Sequence, residues 1–130
     1  MYARVIKLGI IEAEKSQHDK ARLGAVIFRK KQIISCGYNK SFAWSNRLPV
    51  LFRKWPHGIH AEAAAILNAH ADLNAHADLR GADIFIVRIG RSGILRLSKP
   101  CEYCMRYIKY VGIRKIIYTD VDGQFITIRL

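Results

Sequence analysis

Two short segments, His60-Ala61-Glu62 and Pro100-Cys101-Glu102-Tyr103-Cys104, constrain this chain more than any other feature. One imidazole and two thiols three residues apart offer three soft ligands to a zinc ion. Three protein ligands leave the fourth tetrahedral position for water, which is the pattern of a catalytic rather than a structural site. Placing donors about forty residues apart on one ion requires a fold in which two segment starts converge. Pro100 suits a helix start, because its missing N–H would have no intrahelical partner there. Cys101 and Cys104 are then expected in the first turn, on one helical face, where the positive dipole end favours thiolates. His60, following Gly58 and Ile59, is expected in the first turn of a second helix. Glu62, two residues on, is placed to move protons. Backbone N–H groups near Ala61 and at the Pro100-Cys101 junction lack intrahelical partners and can face a ligand, so Ala61 and Pro100 join the candidate substrate contacts.

Other readings of these residues stand beside this one. A CxxC pair that follows a strand and loop and opens a helix also suits a redox motif. His-Ala-Glu at an upstream helix start argues against it. A structural zinc site would need a fourth ligand, for which His57, Cys36, His70 or His76 can be proposed, and it would give Glu62 no task. Cys36, in an apolar strand, reads as a small core residue.

With 130 residues the chain is expected to form one domain, residues 1–130. Its apolar runs are short and broken by charge, so no membrane span is expected. The N-terminal Met1-Tyr2-Ala3-Arg4-Val5-Ile6-Lys7 lacks the long apolar stretch of a secretion signal. Three cysteines, two at metal-ligand spacing, fit a reducing cytoplasm better than a disulfide framework. Lys and Arg number 22 against 10 Asp and Glu, a formal +12. Such a surface is soluble, and it also steers phosphorylated substrates or polyanions.

Val5 to about Lys15 has loose helical periodicity. Leu23–Phe28 and Gln32–Gly37 flank the charged turn Arg29-Lys30-Lys31 and predict a hairpin. Tyr38 to Gly58 shows no periodicity and reads as a long functional loop. Ile59 to about Leu73 predicts an alanine-rich helix, Asp83–Ile89 a strand, and Cys101–Gly112 a second helix stopped by glycine. Arg114–Thr119 and Phe125–Ile128 are two further strands around Asp122-Gly123, a hairpin signal. The order predicts a three-layer α/β/α fold with a five-stranded mixed sheet and an antiparallel last pair. The hexapeptide Asn68–Leu73 recurs at once as Asn74–Leu79. Six residues turn a helix by about 600°, which puts His70 and His76 on different faces and disfavours a second metal site.

H-x-E with P-C-x-x-C is the signature of zinc deaminases acting on nucleobases. The chain closely resembles the cytidine deaminase-like superfamily, which covers cytidine, deoxycytidylate and tRNA adenosine deaminases and polynucleotide cytosine deaminases. The resemblance implies Zn2+ as cofactor, His60, Cys101 and Cys104 as its ligands, and Glu62 as the catalytic acid/base. It places Asn39, in the Gly37-Tyr38-Asn39 turn, on the substrate's sugar; the plain alternative is an ordinary turn asparagine. It also implies a homo-oligomer, by analogy alone. Two departures matter. Only five residues separate Thr119 from Phe125, too few for the helix that usually leads to a parallel fifth strand. Ser98-Lys99 precedes Pro100 where tRNA adenosine deaminases tend to carry an acidic residue.

The first functional expectation is therefore hydrolytic deamination of cytosine in a free nucleotide or nucleoside. Lys40, Arg47, Arg53 and Lys54 are candidates for a 5′-phosphate; Arg114 and Lys115 read as solvated strand-end charges. The alternative is deamination of cytosine or adenine within single-stranded DNA or RNA/tRNA. It draws on Phe42, Trp44, Phe52 and Trp55 among those cations, since interleaved aromatics and charges can bind single strands. The tryptophans could equally pack the loop onto the domain. A zinc-stabilised binding module without turnover is a third reading.

Overall fold

The computed structural model describes residues 2–17, 21–40, 59–71 and 78–130. Helix α1 spans Ala3–Glu14, and strands β1 (Arg22–Arg29) and β2 (Gln32–Tyr38) form the expected hairpin. Helix α2 (Ala61–Ala71), strand β3 (Asp83–Ile89) and a short 3₁₀ turn (Arg91–Gly93) follow. Then come β4 (Leu95–Arg96), α3 (Glu102–Tyr110), β5 (Lys115–Thr119) and β6 (Phe125–Arg129). Of the long loop expected over Tyr38–Gly58, Tyr38 ends β2 and Asn39 and Lys40 follow it, while residues 41–58 lie outside the described residues, as does the second copy of the hexapeptide except for its last two residues.

The sheet runs β2-β1-β3-β5-β6, with β4 added at the end of β3. β3 and β5 pair in parallel, and the other pairs are antiparallel, including β5 with β6 as the short connection demanded. The sheet thus has a sixth strand beyond the five expected. At two residues, β4 is too short to carry any periodicity, and only its pairing with Arg88 and Ile89 reveals it.

The central strands are apolar on both faces, as strands covered by helices on both sides must be. Ile84 and Ile86 of β3 join Ala25, Ile27, Ile116 and Tyr118 in a core capped by α2 and α3. Phe85, Val87 and Ile89 point the other way, against α1, with Val26, Phe28 and Ile117. Fully buried side chains such as Ile66, Tyr107 and Ile108 each contribute about 1.5–3 kcal/mol through removal from water. The small residues of α2 let it approach the sheet. At Gly37 an added Cβ would lie 2.4 Å from the Ala65 amide nitrogen, so β2 and α2 meet backbone to backbone. The β5–β6 turn is closed by Asp120, whose Oδ1 accepts from the Asp122 and Gln124 amides at 2.9 Å each. Gly123 supplies the positive φ of 78° that this turn requires.

Candidate metal centre

Both helices on the α2/α3 face start at the same place. Ile59, just ahead of α2, is fixed by a two-way bridge to Lys40: the Lys40 amide donates to Ile59 O at 2.9 Å and the Ile59 amide to Lys40 O at 3.1 Å. His60 O accepts from the Ala64 amide at 2.9 Å, which makes His60 the residue capping α2. Cys101 caps α3 in the same way: its carbonyl accepts from Met105 at 2.8 Å and its Sγ from the Cys104 amide at 3.4 Å. The first-turn expectation is corrected by one position for His60 and Cys101. Capping residues have non-helical backbone, and this turns their side chains back across the helix start.

Pro100 and Ser98 are buried. The Ser98 hydroxyl lies 2.8 Å from both Ile86 O and Thr119 Oγ1, and the Thr119 amide donates to it at 2.8 Å. The loop leading to Cys101 is therefore tied to β3 and β5.

His60 Nδ1 lies 3.5 Å from Cys101 Sγ and 3.2 Å from Cys104 Sγ, and the three donor atoms all fall within 4.8 Å of one another. Tetrahedral zinc with Zn–N and Zn–S bonds of about 2.0 and 2.3 Å sets its N and S ligands about 3.5 Å apart, so these residues fit zinc. Cys36 and His70 are not part of the cluster, and His57 and His76 lie outside the described residues. Cys36 packs against the α1-side core, and burial pushes its thiol up to about 11. Cys36, Cys101 and Cys104 are all unbridged.

Burial, then hydrogen bonding to Cys101, holds the Cys104 thiol well above its ordinary value. For His60, burial opposes the imidazolium, but the hydrogen bond to Cys101 and the charges of Glu62 and Cys101 outweigh it and raise the group. Burial raises the Glu62 carboxyl despite the opposing influence of His60. Glu62 is 3% exposed, and among the described residues its Oε1 has no hydrogen-bond partner. A buried acceptor in that condition costs about 1–3 kcal/mol, so something other than stability accounts for it.

A cavity of about 310 Å³ opens onto this group, lined among others by His60, Glu62, Cys101 and Asn39. Ala61, fully buried, opens the first turn of α2 next to His60, and neither it nor Pro100 is among the residues lining the cavity. Asn39 is also a backbone clamp: its Oδ1 accepts from the Leu23 amide at 3.0 Å and its Nδ2 donates to Ala21 O at 2.8 Å. Lys40, a sequence candidate, lines the cavity; Arg47, Arg53 and Lys54 lie outside the described residues. Arg88 and Lys99 line it as well and were not foreseen. Arg88 had a signal in the sequence, a charge in step with Ile84 and Ile86 on the inward face of β3.

Residues 2–120 match the model of the cytidine and deoxycytidylate deaminase zinc-binding region. No curated protein matches the chain significantly. Among solved structures, apo dCMP deaminase from the cyanophage S-TIM5 is 18% identical, with a TM-score of 0.63 over 95% of this chain and 89% of that one. The same enzyme in complex with dCMP and dUMP is 18% identical and gives 0.65 over 91% and 79%. Cytidine deaminase from Burkholderia pseudomallei, 17% identical, gives 0.68 over 99% and 92%. Likeness at such identities concerns the fold. The family model spans nearly the whole chain, and the His/Cys/Cys donor set that its chemistry needs is intact. On those two grounds together, this chain is a zinc-dependent hydrolase that belongs to the cytidine and deoxycytidylate deaminase family.

Proposed function

We propose that the protein, as a single domain, hydrolyses the exocyclic amine of cytosine in a free nucleotide or nucleoside, yielding the uracil compound and ammonia. The observation that carries this reading is the buried Oε1 of Glu62, without a hydrogen-bond partner among the described residues, at the wall of a cavity of about 310 Å³ beside the His60, Cys101 and Cys104 donors. His60, Cys101 and Cys104 would hold zinc, which in a three-ligand site supplies a water nucleophile at neutral pH. Glu62 takes a proton from the attacking water and gives it to the ring nitrogen, then takes a second from the newly added hydroxyl and delivers it to the departing amine. Its burial suits it to holding a proton between these transfers. The first-turn amides from Ala61 onward and the backbone at Pro100 frame the base, and Asn39 keeps one N–H for the sugar beside the bond to Ala21. The unbridged thiols suit a reducing compartment such as the cytoplasm.

The test is parallel turnover of dCMP, CMP, cytidine, deoxycytidine, single-stranded DNA and RNA by the zinc-loaded protein. Monomers are expected to react. Turnover confined to strands, with affinity falling steeply with salt, would transfer the assignment to the polynucleotide reading that the net charge of +12 invites.

A further inference from the structure

The sheet has two edge strands, β2 and β6, and they differ. β2 carries a bulge at Ile34, since Ile27 pairs with Ser35 but Phe28 with Ile33. A bulge is one of the devices that keep an open edge from recruiting another strand. β6 has none: it pairs with β5 in one unbroken register, from Thr119 with Phe125 to Lys115 with Arg129. It holds neither proline nor lysine, and among the described residues no strand pairs with its outer side.

The phase of the hydrogen bonds fixes what that edge offers. The amides of Asp120 and Leu130 donate to Gln124 O and Arg114 O at 2.9 Å each, so Ile126 and Ile128 turn their backbone groups toward β5. The N–H and C=O groups of Phe125, Thr127 and Arg129 therefore point outward, a template for a further strand. Phe125 is 47% exposed, and Val121 and Leu130 are exposed near the two ends of the strand. Charge divides the same way: Asp120 and Asp122 stand in the turn before β6, and Arg129 at its far end.

Laid antiparallel to itself about Thr127, the strand is its own complement. Phe125 of one copy meets Arg129 of the other, a ring against a cation. Thr127 meets Thr127. On the opposite face Ile126 meets Ile128, which extends the apolar row packed on the α2/α3 core. Each acidic turn is directed toward the basic end of the other strand, which offsets part of the repulsion between two chains of formal charge +12.

We infer that β6 is a dimerisation edge, at which a second copy of this chain continues the sheet through an antiparallel β6–β6 pairing centred on Thr127. Such pairing needs no assumption about the reaction catalysed.

Sedimentation velocity of the zinc-loaded chain over a dilution series measures it. Wild type is expected to form a species of twice the 14.9 kDa chain mass that dissociates on dilution. Thr127→Pro removes an outward amide that β5 does not use, and should leave a folded monomer. Thr127→Lys and Thr127→Glu each set like charges opposite one another, and each should raise the dimer's dissociation constant about fivefold. Mixing those two variants should restore association, because Lys then faces Glu across the axis. Thr127 is exposed, so the charge variants keep the test open if Thr127→Pro fails to fold, and far-UV dichroism matching wild type verifies each fold. A wild type that is monomeric at every concentration overturns the proposal, as does a mixture that associates no more tightly than the single variants. Either result leaves the deaminase reading untouched, and loss of turnover leaves the dimer untouched.

Discussion

In the proposed reaction, Glu62 is the residue at which stability and chemistry pull in opposite directions. Its carboxylate is buried beside two thiols, one oxygen lacks a partner among the described residues, and burial raises its pKa. As pH rises past the ordinary carboxylate range, the unfolded chain ionises this group freely while the folded chain resists. Its contribution to stability is therefore present at low pH and lost as pH rises through the folded value. Glu62→Gln removes that slope. The metal-free variant should match or exceed wild type in urea unfolding at pH 8, by up to about 1–3 kcal/mol, with a smaller difference at pH 5. The zinc-loaded variant should lose about 10²–10⁴-fold or more in kcat. A variant that turned over normally, or that unfolded more easily at pH 8 than wild type, would contradict the role given to this carboxylate.

At the scale of elements, the site depends on how closely α2 lies on β2. Gly37→Ala places a methyl group against the Ala64-Ala65 backbone, which cannot move as a flexible side chain could. Helix α2 must shift, carrying His60 and Glu62 with it. A loss of about 1–3 kcal/mol in denaturant unfolding is expected, together with weaker zinc retention against a chelator. Unaltered zinc retention would show that the donors do not depend on this approach. Much of this level was legible in the residues. β-branched runs marked the strands, Asp122-Gly123 the last hairpin, and Pro100 the start of α3, because each reflects local preference. The donor set was legible because ligand chemistry admits few residue types. Three features escaped. β4 is defined by a partner strand rather than by its own pattern. His60 and Cys101 proved to be caps, a one-residue distinction that depends on backbone geometry. Arg88 was not singled out, although its charge falls in step with Ile84 and Ile86, because the sequence does not say which face of β3 meets the cavity.

For the whole molecule, metal and fold are linked equilibria. Burial holds the Cys104 thiol well above its ordinary value in the metal-free chain, so zinc must displace protons to bind. Apparent zinc affinity should therefore rise with pH, by up to about two log units per pH unit if both thiols release a proton. Competition with a chromophoric chelator between pH 6 and 8 measures it, and a flat profile would exclude Cys101 and Cys104 as ligands. Among the described residues no helix is long and apolar enough to cross a membrane. Because His60 and Cys101 each begin a different helix, an ion gripping both would act as a removable cross-link between distant stretches of the chain. Departure of the ion would then loosen two helix ends in the same event, and an inactive protein would also be one whose weakest seam had opened.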